Sequence, residues 1–364
     1  MERKKSNAIP GTVFSTQNGH LLISSGVISL DTLLAGGLPV GTVVLVEEDF
    51  RGLHSKVLLK YFLAEGLASK HSILIASQDV NPSSILRELP AVIESDPEPE
   101  GPPRVQAVTD KMKIAFRYQN LSTSSVNSSG TKHIGHHFDL SRNISFNDIQ
   151  NSDIYYWTGQ RIENGFNSFT NPAYNDLLKS IKNKIKEGKF FLKDNPEKKT
   201  ILRIGIHSLG SPMWLPTKKS VHSVNGNSQD LHMFLFCLRA LVRSAHAVAF
   251  VTIPSYLYDE ESLERCVHSS DIAMKLQSFS GTELENNQSL QDYHGFFYLM
   301  KLAAINSLAS KHPGSIEYVF KLRRKKFTIE VLHLPPDLSD ASEGKNNNIS
   351  SLGCGGSNKH LLEF

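Results

Sequence analysis

The apolar residues of this chain are grouped in short unbroken runs, within which they do not alternate with polar residues. Such runs are typical of strands that are covered on both faces, as in a parallel sheet flanked by helices. The predicted core strands are 42–46, 72–77, 200–206, 247–253 and 270–276. Two further strands, 318–322 and 327–334, are predicted to pair as a hairpin. The pattern therefore predicts an α/β core with a mainly parallel sheet and antiparallel strands late in the chain.

Helices are predicted between these strands from their apolar spacing and from the residues at their ends. They cover 29–34, 54–67, a segment that starts at 82, 172–186 and 231–244. Ser29 is expected to cap the first helix and Asn81 the third. The apolar side of the second helix is predicted to consist of Val57, Leu58, Phe62, Leu63 and Leu67. Lys56, Lys60 and Glu65 are expected at more polar positions of that helix.

The segment 23–67 has the layout of a nucleotide-binding strand–loop–helix unit. It resembles the RecA-like ATPase fold, in which an SG…LD.LL.GGLP.G stretch precedes the P-loop. The phosphate-binding pattern G-x-x-x-x-G-K-[ST] begins here at Glu48, which occupies the first glycine position. Leu53 and His54 occupy the second glycine and the lysine positions, and only Ser55 fits the pattern. The chain thus has the frame of a nucleotide site without most of the residues that hold a phosphate.

The residues of this loop disfavour a bound triphosphate. A P-loop works because glycines let backbone N–H groups converge on phosphate oxygens at the N-terminus of a helix. Side chains at Glu48 and Leu53 crowd that approach. Glu47, Glu48 and Asp49 also place three carboxylates where the phosphates would lie, and like charges repel. We therefore expect no nucleotide cofactor to bind in the usual way.

An alternative is a divergent but working nucleotide site in which Arg51, His54 and Lys56 supply the positive charge. A second motif argues against it. In a RecA-like fold, the strand at 200–206 would carry at its end the Walker B acid that organises Mg²⁺, and this chain has His207 there. Because both nucleotide motifs lack their defining residues, the interpretation without a cofactor is favoured.

Composition and charge narrow the class of protein. The 364 residues carry a formal net charge of +3, so the overall charge does not indicate a nucleic-acid binder. Cys237, Cys266 and Cys354 are widely spaced and odd in number, which matches neither a disulfide framework nor a zinc site. The first residues lack the apolar region of a signal peptide, and no apolar run reaches the length of a membrane span. A cytoplasmic and nuclear protein without a membrane segment is expected.

Two polar clusters allow a functional and a structural interpretation. His133, His136 and His137 suggest a metal site, but a polar loop is favoured and no metal is expected, because no Cys or carboxylate stands beside them at ligand spacing. The predicted helix 172–186 and the residues after it carry a row of lysines: Lys179, Lys182, Lys184, Lys186 and Lys189. These lysines form either a solvated face, which is the favoured interpretation, or part of a surface for an anionic partner.

One α/β domain is expected over most of the chain. The expected segments are a polar N-terminal part over 1–20, a single domain over 21–338 and a disordered tail over 339–364. Flexible insertions are expected near 94–103, 120–137 and 221–230, where Pro, Gly, Ser and Asn accumulate.

Longer motifs, taken together, indicate a family. They are YFLAEG at 61–66, RIGI at 203–206, LGSP at 209–212, DYHG at 292–295, FKLRRKKF at 320–327 and EVLHLPPD at 330–337. With these motifs and the acidic loop, the chain closely resembles the PAXNEB family, which is the fourth subunit of the Elongator complex. The resemblance covers roughly residues 20 to 338, apart from the insertions.

The resemblance implies a non-catalytic RecA-like subunit without working Walker motifs. Family members join two related RecA-like subunits in a hexameric ring that holds two copies of each. The ring binds tRNA and is an accessory part of Elongator, which adds a 5-carboxymethyl-type group to wobble uridine. The resemblance therefore implies as partners the two related subunits, the remaining Elongator subunits and tRNA, while the chemistry belongs to another subunit.

The basic hairpin is the candidate RNA contact within this resemblance. Its side chains Arg323, Arg324, Lys325 and Lys326 are compact cations that could neutralise backbone phosphates. Two other interpretations stay open: the hairpin keeps a sheet edge soluble, or it is a nuclear-import signal. Two other functions also stay open. The chain could be an ATPase subunit with a divergent site, or a ring scaffold without RNA contact.

Overall fold

The central feature of the molecule is one large twisted sheet, seen in a computed structural model. The structure describes residues 9–15, 18–93, 134–159, 169–194, 199–214, 224–305 and 316–333, with the backbone alone for 224–227. Within these ranges the strands are β1 Thr12–Phe14, β2 Leu21–Ile23, β3 Leu38–Pro39, β4 Val43–Glu47, β5 Ser72–Ser77, β6 Pro90–Val92, β7 Phe138–Asn143, β8 Ile154–Trp157, β9 Leu202–His207, β10 Ala247–Ile253, β11 Ile272–Ser278, β12 Gly295–Lys301, β13 Tyr318–Leu322 and β14 Phe327–Val331. The helices are α1 Ile28–Leu33, α2 Leu53–Ala68, α3 Pro82–Arg87, α4 Phe146–Gln150, α5 Pro172–Glu187, α6 Val224–Arg243 and α7 Glu260–Ser269.

The order of strands across the sheet is β14-β13-β12-β11-β4-β10-β9-β5-β8. Neighbours from β11 to β8 run parallel, and β12 to β14 are antiparallel. The mainly parallel α/β sheet with late antiparallel strands is thus confirmed. A separate small sheet, β1-β2-β3, precedes β4, and β6 pairs with β7.

The sheet has an apolar core on each face. In β4, Val44 and Val46 face the core that α1 and α2 cover. Val43 and Leu45 face the other core, which α5, α6 and α7 cover. Every residue of β4 is buried, and this is why its sequence is an unbroken apolar run rather than an alternating one.

The predicted starts of two helices, α1 and α6, were wrong, because residues near these starts contact distant parts of the chain. The first helix starts at Ile28, its N-cap Val27 makes no side-chain cap bond, and the Ser29 hydroxyl instead accepts the N–H of Ile329 in β14. Helix α6 starts at Val224, so 224–230 belongs to a helix rather than to the expected insertion. By contrast, the Asn81 side chain caps α3 by accepting the N–H of Ser83, as expected.

Other elements were missed by sequence reasoning. They are the small N-terminal sheet, β6 to β8, α4, α7 and β12. The sequence also indicates an ordered element over 113–118, which lies outside the described residues. The insertion at 94–103, most of the insertion at 120–137 and the tail at 339–364 lie outside them as well. No helix in the described part of the chain is both long and apolar enough to cross a membrane.

Candidate functional site

The loop between β4 and α2 lies at the edge where the parallel strands end. Glu48 directly follows β4, and its N–H donates to the carbonyl of Ile253 at the end of β10 over 2.9 Å. Ser77 and His207, the last residues of β5 and β9, are paired at the same edge. In open α/β sheets, ligands bind outside the carboxyl ends of the strands. This loop, which ends where α2 begins at Leu53, is therefore the candidate functional site.

The N-terminus of α2 is occupied by a carboxylate of the chain itself. Oδ1 of Asp49 accepts the N–H of His54 at 3.2 Å, and Oδ2 lies 3.2 Å from Nδ1 of the same histidine. Burial alone raises the pKa of Asp49, but the hydrogen bonds and the charge of His54 outweigh burial, so the pKa lies below its usual value. Gly52 closes the loop with φ +62°. The position that a phosphate needs at a helix N-terminus thus already holds an anion.

Two more carboxylates at this loop are buried. Burial raises the pKa of Glu48 to about 7, against the hydrogen bonds that it accepts from neighbouring hydroxyls. Its Oε2 lies 3.3 Å from the Ser208 hydroxyl, while Oε1 has no hydrogen-bond partner among the described residues. Burial also raises the pKa of Glu47, whose Oε2 lies 3.8 Å from Nζ of Lys275. The remaining negative charge of these carboxylates opposes the binding of phosphate.

The other P-loop positions are used for internal packing. The buried Ser55 hydroxyl donates to the carbonyl of Gly52 over 3.2 Å, and the His54 ring lies 4.7 Å from the ring of Phe320. Leu53 is exposed. Lys56 points to Glu88, with its Nζ 3.7 Å from Oε2. The sequence predicted the strand, loop and helix correctly. Of the cations of the alternative divergent site, Lys56 is turned to Glu88, whereas Arg51 and His54 line one cleft with Asp49.

The Walker B position holds a histidine that stays neutral. His207 is buried, and burial lowers its pKa to about 4. Its Nδ1 lies 3.2 Å from the Ser77 hydroxyl. Mg²⁺ prefers oxygen ligands, so a neutral imidazole is a poor substitute for the carboxylate of a Walker B motif. The end of this strand therefore does not supply the Mg²⁺ contact that a nucleotide site needs.

A buried arginine joins three parts of the fold, and sequence reasoning missed it. Arg203 in β9 is fully buried, and Nη1 donates to the carbonyls of Ser24 and Phe62 over 2.9 and 3.0 Å. Its Nε donates to Nδ1 of His71 over 3.0 Å. Burial lowers the pKa of Arg203 to about 10, so it remains charged near neutral pH. The single arginine in an apolar strand was the signal that could have revealed this position.

Glu65 is the acidic member of the same cluster, and it lies in the interior although it was expected at a more polar position of the helix. It is fully buried in α2, where it accepts the Ser69 hydroxyl at 2.9 Å and the N–H of His136 at 2.9 Å. Burial raises its pKa, but the bonds from His136 and the charge of Arg203 reverse the effect, so the pKa is lowered. Gly66 makes room for the arginine, because a Cβ there would lie 2.7 Å from Cδ of Arg203. His136 is therefore a partner of Glu65.

The metal site that was weighed for His133, His136 and His137 has no counterpart within the described ranges. No group of three or more His, Cys, Asp or Glu side chains in these ranges is arranged to hold a metal ion. His133 lies outside them, and His137 is exposed. Of the lysines of α5, Lys184 pairs with Asp153 at 2.7 Å, and the others are exposed.

The basic hairpin is fully exposed at the turn between β13 and β14. Arg323, Arg324, Lys325 and Lys326 are all exposed, and none of them makes an ion pair with a described residue. The turn is held by its backbone, since the N–H of Arg323 donates to the carbonyl of Lys326 over 2.9 Å. The N–H of Leu140 in β7 donates to the carbonyl of Lys325 over 2.9 Å. The four side chains are thus free to meet a partner.

The strand order defines the class of this protein. The strands of the large sheet can be numbered in chain order with β4 as strand 1, leaving out β6 and β7, which belong to another sheet. Their order across the sheet from β8 to β14 is then 3-2-4-5-1-6-7-8-9. The candidate site lies at the end of strand 1. This is a RecA-like α/β domain. A profile of the PAXNEB protein family matches residues 5–364. The chain belongs to the PAXNEB protein family.

Curated relatives and one solved structure are similar to this chain. Elongator complex protein 4 of Danio rerio is 39% identical over 375 residues, which cover 99% of this chain and 94% of that protein. Elongator complex protein 4 of Homo sapiens is 38% identical over 378 residues, which cover 97% and 88%. A KaiC-like protein from Pyrococcus horikoshii is 12% identical with a TM-score of 0.48, covering 85% of this chain and 98% of that one.

Proposed function

We propose that this chain is a non-catalytic subunit of the Elongator complex. In this proposal it joins two related RecA-like subunits in a hexameric ring that binds tRNA and supports the 5-carboxymethyl-type modification of wobble uridine. Membership of the PAXNEB family and relatives named Elongator complex protein 4 support the assignment to Elongator. The remaining Elongator subunits are then its further partners, in the cytoplasm and the nucleus.

The observation that carries the non-catalytic role is Asp49 at the N-terminus of α2. Its carboxylate accepts the backbone N–H of His54, the group that a P-loop turns toward phosphate. A nucleotide would have to displace this anion and approach Glu48, which is also buried. Both steps oppose binding, so this loop is not expected to contribute to any ATP hydrolysis by the ring.

Nucleoside analysis of total tRNA tests the proposed function. We expect cells without this chain to lose 5-carboxymethyl-type wobble uridines, and re-expression of the chain to restore them. A chain with Asp49→Asn should restore them equally well, because Asn keeps an acceptor for the N–H of His54. Intact wobble uridines in cells without the chain would overturn the assignment to Elongator.

The basic hairpin is the proposed tRNA contact. Its four cations are exposed and carry no ion pair with a described residue, so binding to phosphate breaks no such pair. A ring scaffold without RNA contact is the competing proposal. The two differ in one measurable quantity, the salt dependence of tRNA binding by the assembled ring.

A further inference from the structure

The basic hairpin contacts strand β7, which continues its surface. The N–H of Leu140 in β7 donates to the carbonyl of Lys325 in the hairpin over 2.9 Å. Hydrogen bonds from Ser141 lower the pKa of Asp139 in the same strand, and the charges of Lys325 and Arg142 lower it further. Both cations therefore lie near one carboxylate. Arg142 follows Leu140 by two residues, a rise of about 7 Å along a strand, and is a further cation beside the four of the hairpin.

The side chain of Arg142 is free to meet a partner. It is exposed and makes no hydrogen bond or ion pair with a residue that the structure describes. Its guanidinium presents five N–H donors in a planar fork, which suits a phosphate group. Binding of a phosphate here would break no ion pair within the described ranges.

A cleft of about 940 Å³ opens beside Arg142. It lies where β5 and β8 begin, and thus at the edge of the sheet opposite to the loop after β4. We call it the β7 cleft, and its lining includes Leu67, Val92, Ile93, Asn143 and Asn151. Its volume is within the range of pockets that hold small ligands.

The lining of the β7 cleft is apolar in one part and polar in another. Leu67, Val92 and Ile93 supply apolar side chains, and Ile93 is 48% exposed. Asn143 and Asn151 are exposed, and their side-chain amides make no hydrogen bond with a described residue. Each amide can donate and accept at the same time. The cleft therefore suits a ligand that has apolar faces and polar edges.

The charges of the β7 cleft decide which ligand of this kind fits. Arg142 and Lys70 are exposed cations of its lining, and Asp148 is an exposed carboxylate there. Asp153 also lines it, but Oδ1 of Asp153 lies 2.7 Å from Nζ of Lys184. These carboxylates repel a free polyphosphate. An unpaired nucleotide of an RNA strand carries one phosphate and a base with apolar faces and hydrogen-bonding edges, so it fits better.

We propose that Arg142 and the β7 cleft bind an unpaired nucleotide of the tRNA, while the neighbouring RNA backbone lies on the basic hairpin. Arg142 pairs with the phosphate of this nucleotide, and Asn143 and Asn151 bind the edges of its base. Proteins recognise RNA sequence mainly in this way, at splayed-out bases of single-stranded parts. The inference rests on the proposed tRNA contact of the hairpin and extends it to a second place on the chain.

The test is binding of two RNAs by the ring assembled from the purified full-length chain and its two related subunits. Filter binding from low to high salt is measured with tRNA and with a fully paired RNA duplex. Arg142→Gln is expected to reduce the slope of log K against log salt for tRNA by about 0.7, because one phosphate contact is lost. Asn143→Ala combined with Asn151→Ala should weaken tRNA binding about tenfold at an unchanged slope, because only neutral hydrogen bonds are lost. Binding of the duplex, which has no unpaired base, should not change in this double variant.

Two matched variants serve as controls. Asn147→Ala removes an exposed amide of α4 that does not line the β7 cleft. Lys179→Gln removes an exposed cation of α5. Both should bind tRNA as the natural chain does. Thermal unfolding of each isolated variant confirms that the chain has folded.

The outcomes separate this inference from the proposed function. If the natural ring does not bind tRNA, the proposed tRNA contact fails, and this inference fails with it. If the natural ring binds tRNA and neither Arg142→Gln nor the double variant changes binding, only this inference is overturned. A reduced slope in Arg142→Gln with normal binding in the double variant would make Arg142 a backbone contact and overturn the nucleotide site. Equal weakening of tRNA and duplex in the double variant would also overturn it, because the cleft would then not bind an unpaired base.

Discussion

Single side chains hold the loop after β4 in its present form, and Asp49 contributes most. Asp49→Ala removes the acceptor for the N–H of His54, so we expect a loss of about 1 kcal/mol in the free energy of unfolding near pH 7, as for other lost helix caps. Because the pKa of Asp49 is lowered in the folded chain, this contribution is present above its unfolded pKa of about 4 and disappears as the pH falls through the folded value.

Urea unfolding at several pH values measures this effect. The difference in the free energy of unfolding between the natural chain and Asp49→Ala should be on the order of the cap energy near pH 6 and should shrink below about pH 4. Asp49→Asn retains an acceptor and is the control. It should lose less of the free energy of unfolding than Asp49→Ala does. If the difference in the free energy of unfolding between the two chains stays the same down to pH 2, the charge of Asp49 contributes nothing to stability.

The two residues nearest to a functional P-loop are expected to be irrelevant to ATP hydrolysis by the ring. Ser55 donates to Gly52, and Lys56 pairs with Glu88. Replacing both by alanine should leave the rate of ring ATP hydrolysis unchanged while the ring still assembles. Lys60→Ala is the matched control, since Lys60 also pairs with Glu88, at 2.7 Å. A large loss of hydrolysis in the double variant but not in Lys60→Ala would revive the divergent nucleotide site.

Residue roles could be predicted from the sequence where the pattern is local. The P-loop positions Glu48 to Ser55 could be assigned because the flanking strand and helix fix their place. Glu65 could not be assigned correctly. Its helical spacing indicated a polar position, but Arg203 from β9 and His136 from a distant segment surround it. Such a buried charge cluster forms only when elements far apart in sequence meet, and helix periodicity carries no information on that.

At the scale of the elements, Arg203 joins β9 to α2 and to the segment before α1. Arg203→Met leaves the carbonyls of Ser24 and Phe62 without their donor and removes the nearby positive charge from buried Glu65. We expect a loss of about 3 kcal/mol or more in the free energy of unfolding, the usual cost of breaking a buried charge cluster by removing one member. Chemical unfolding of the isolated chain measures it.

A double variant distinguishes charge from packing at this link. Glu65→Gln combined with Arg203→Met should be less destabilised than the sum of the single variants, because no uncompensated carboxylate remains in the interior. Strict additivity would show that Arg203 acts only through its contacts with Ser24, Phe62 and His71. A loss below about 1 kcal/mol in Arg203→Met alone would contradict the expected link.

Elements could be predicted where their apolar runs are unbroken, as in β4, β5 and β10. Element ends were harder to predict. The first residues of α6 have a polar composition that is typical of a loop, yet Asp230 in this helix accepts the N–H groups of Thr170 and Asn171. This contact spans about 60 residues of sequence, so no local signal reports it. Strand β12 was missed although Phe296 to Met300 form an unbroken apolar run, which was the signal that could have revealed it.

At the scale of the whole molecule, the RecA-like order follows from the sequence only in part. Alternating strands and helices predicted a parallel sheet, and the frame around β4 indicated which strand lies at its centre. The position of β11 beside β4 and the antiparallel strands beyond it depend on contacts between distant segments. The candidate surfaces are also far apart in sequence: the acidic loop follows β4, and the basic hairpin lies at the turn between β13 and β14.

The basic hairpin provides a prediction for the assembled ring. Replacing Arg323, Arg324, Lys325 and Lys326 by glutamine should weaken tRNA binding and flatten its dependence on salt. If all four cations contact phosphates, the slope of log K against log salt should fall by about 3, because each neutralised phosphate contributes about 0.7 to 0.9. The hairpin should remain folded, since backbone hydrogen bonds hold its turn. Filter binding of tRNA from low to high salt measures the slope.

Matched lysines on α5 make this prediction specific. Lys179, Lys182 and Lys186 are exposed on that helix, and their replacement by glutamine removes a similar amount of charge from a face that is expected to be solvated. If the hairpin contacts tRNA, the α5 variant keeps the natural slope while the hairpin variant does not. If both variants keep the slope, the chain is a ring scaffold without RNA contact. If only the α5 variant flattens it, the RNA surface lies on α5, and the hairpin serves to keep the sheet edge soluble.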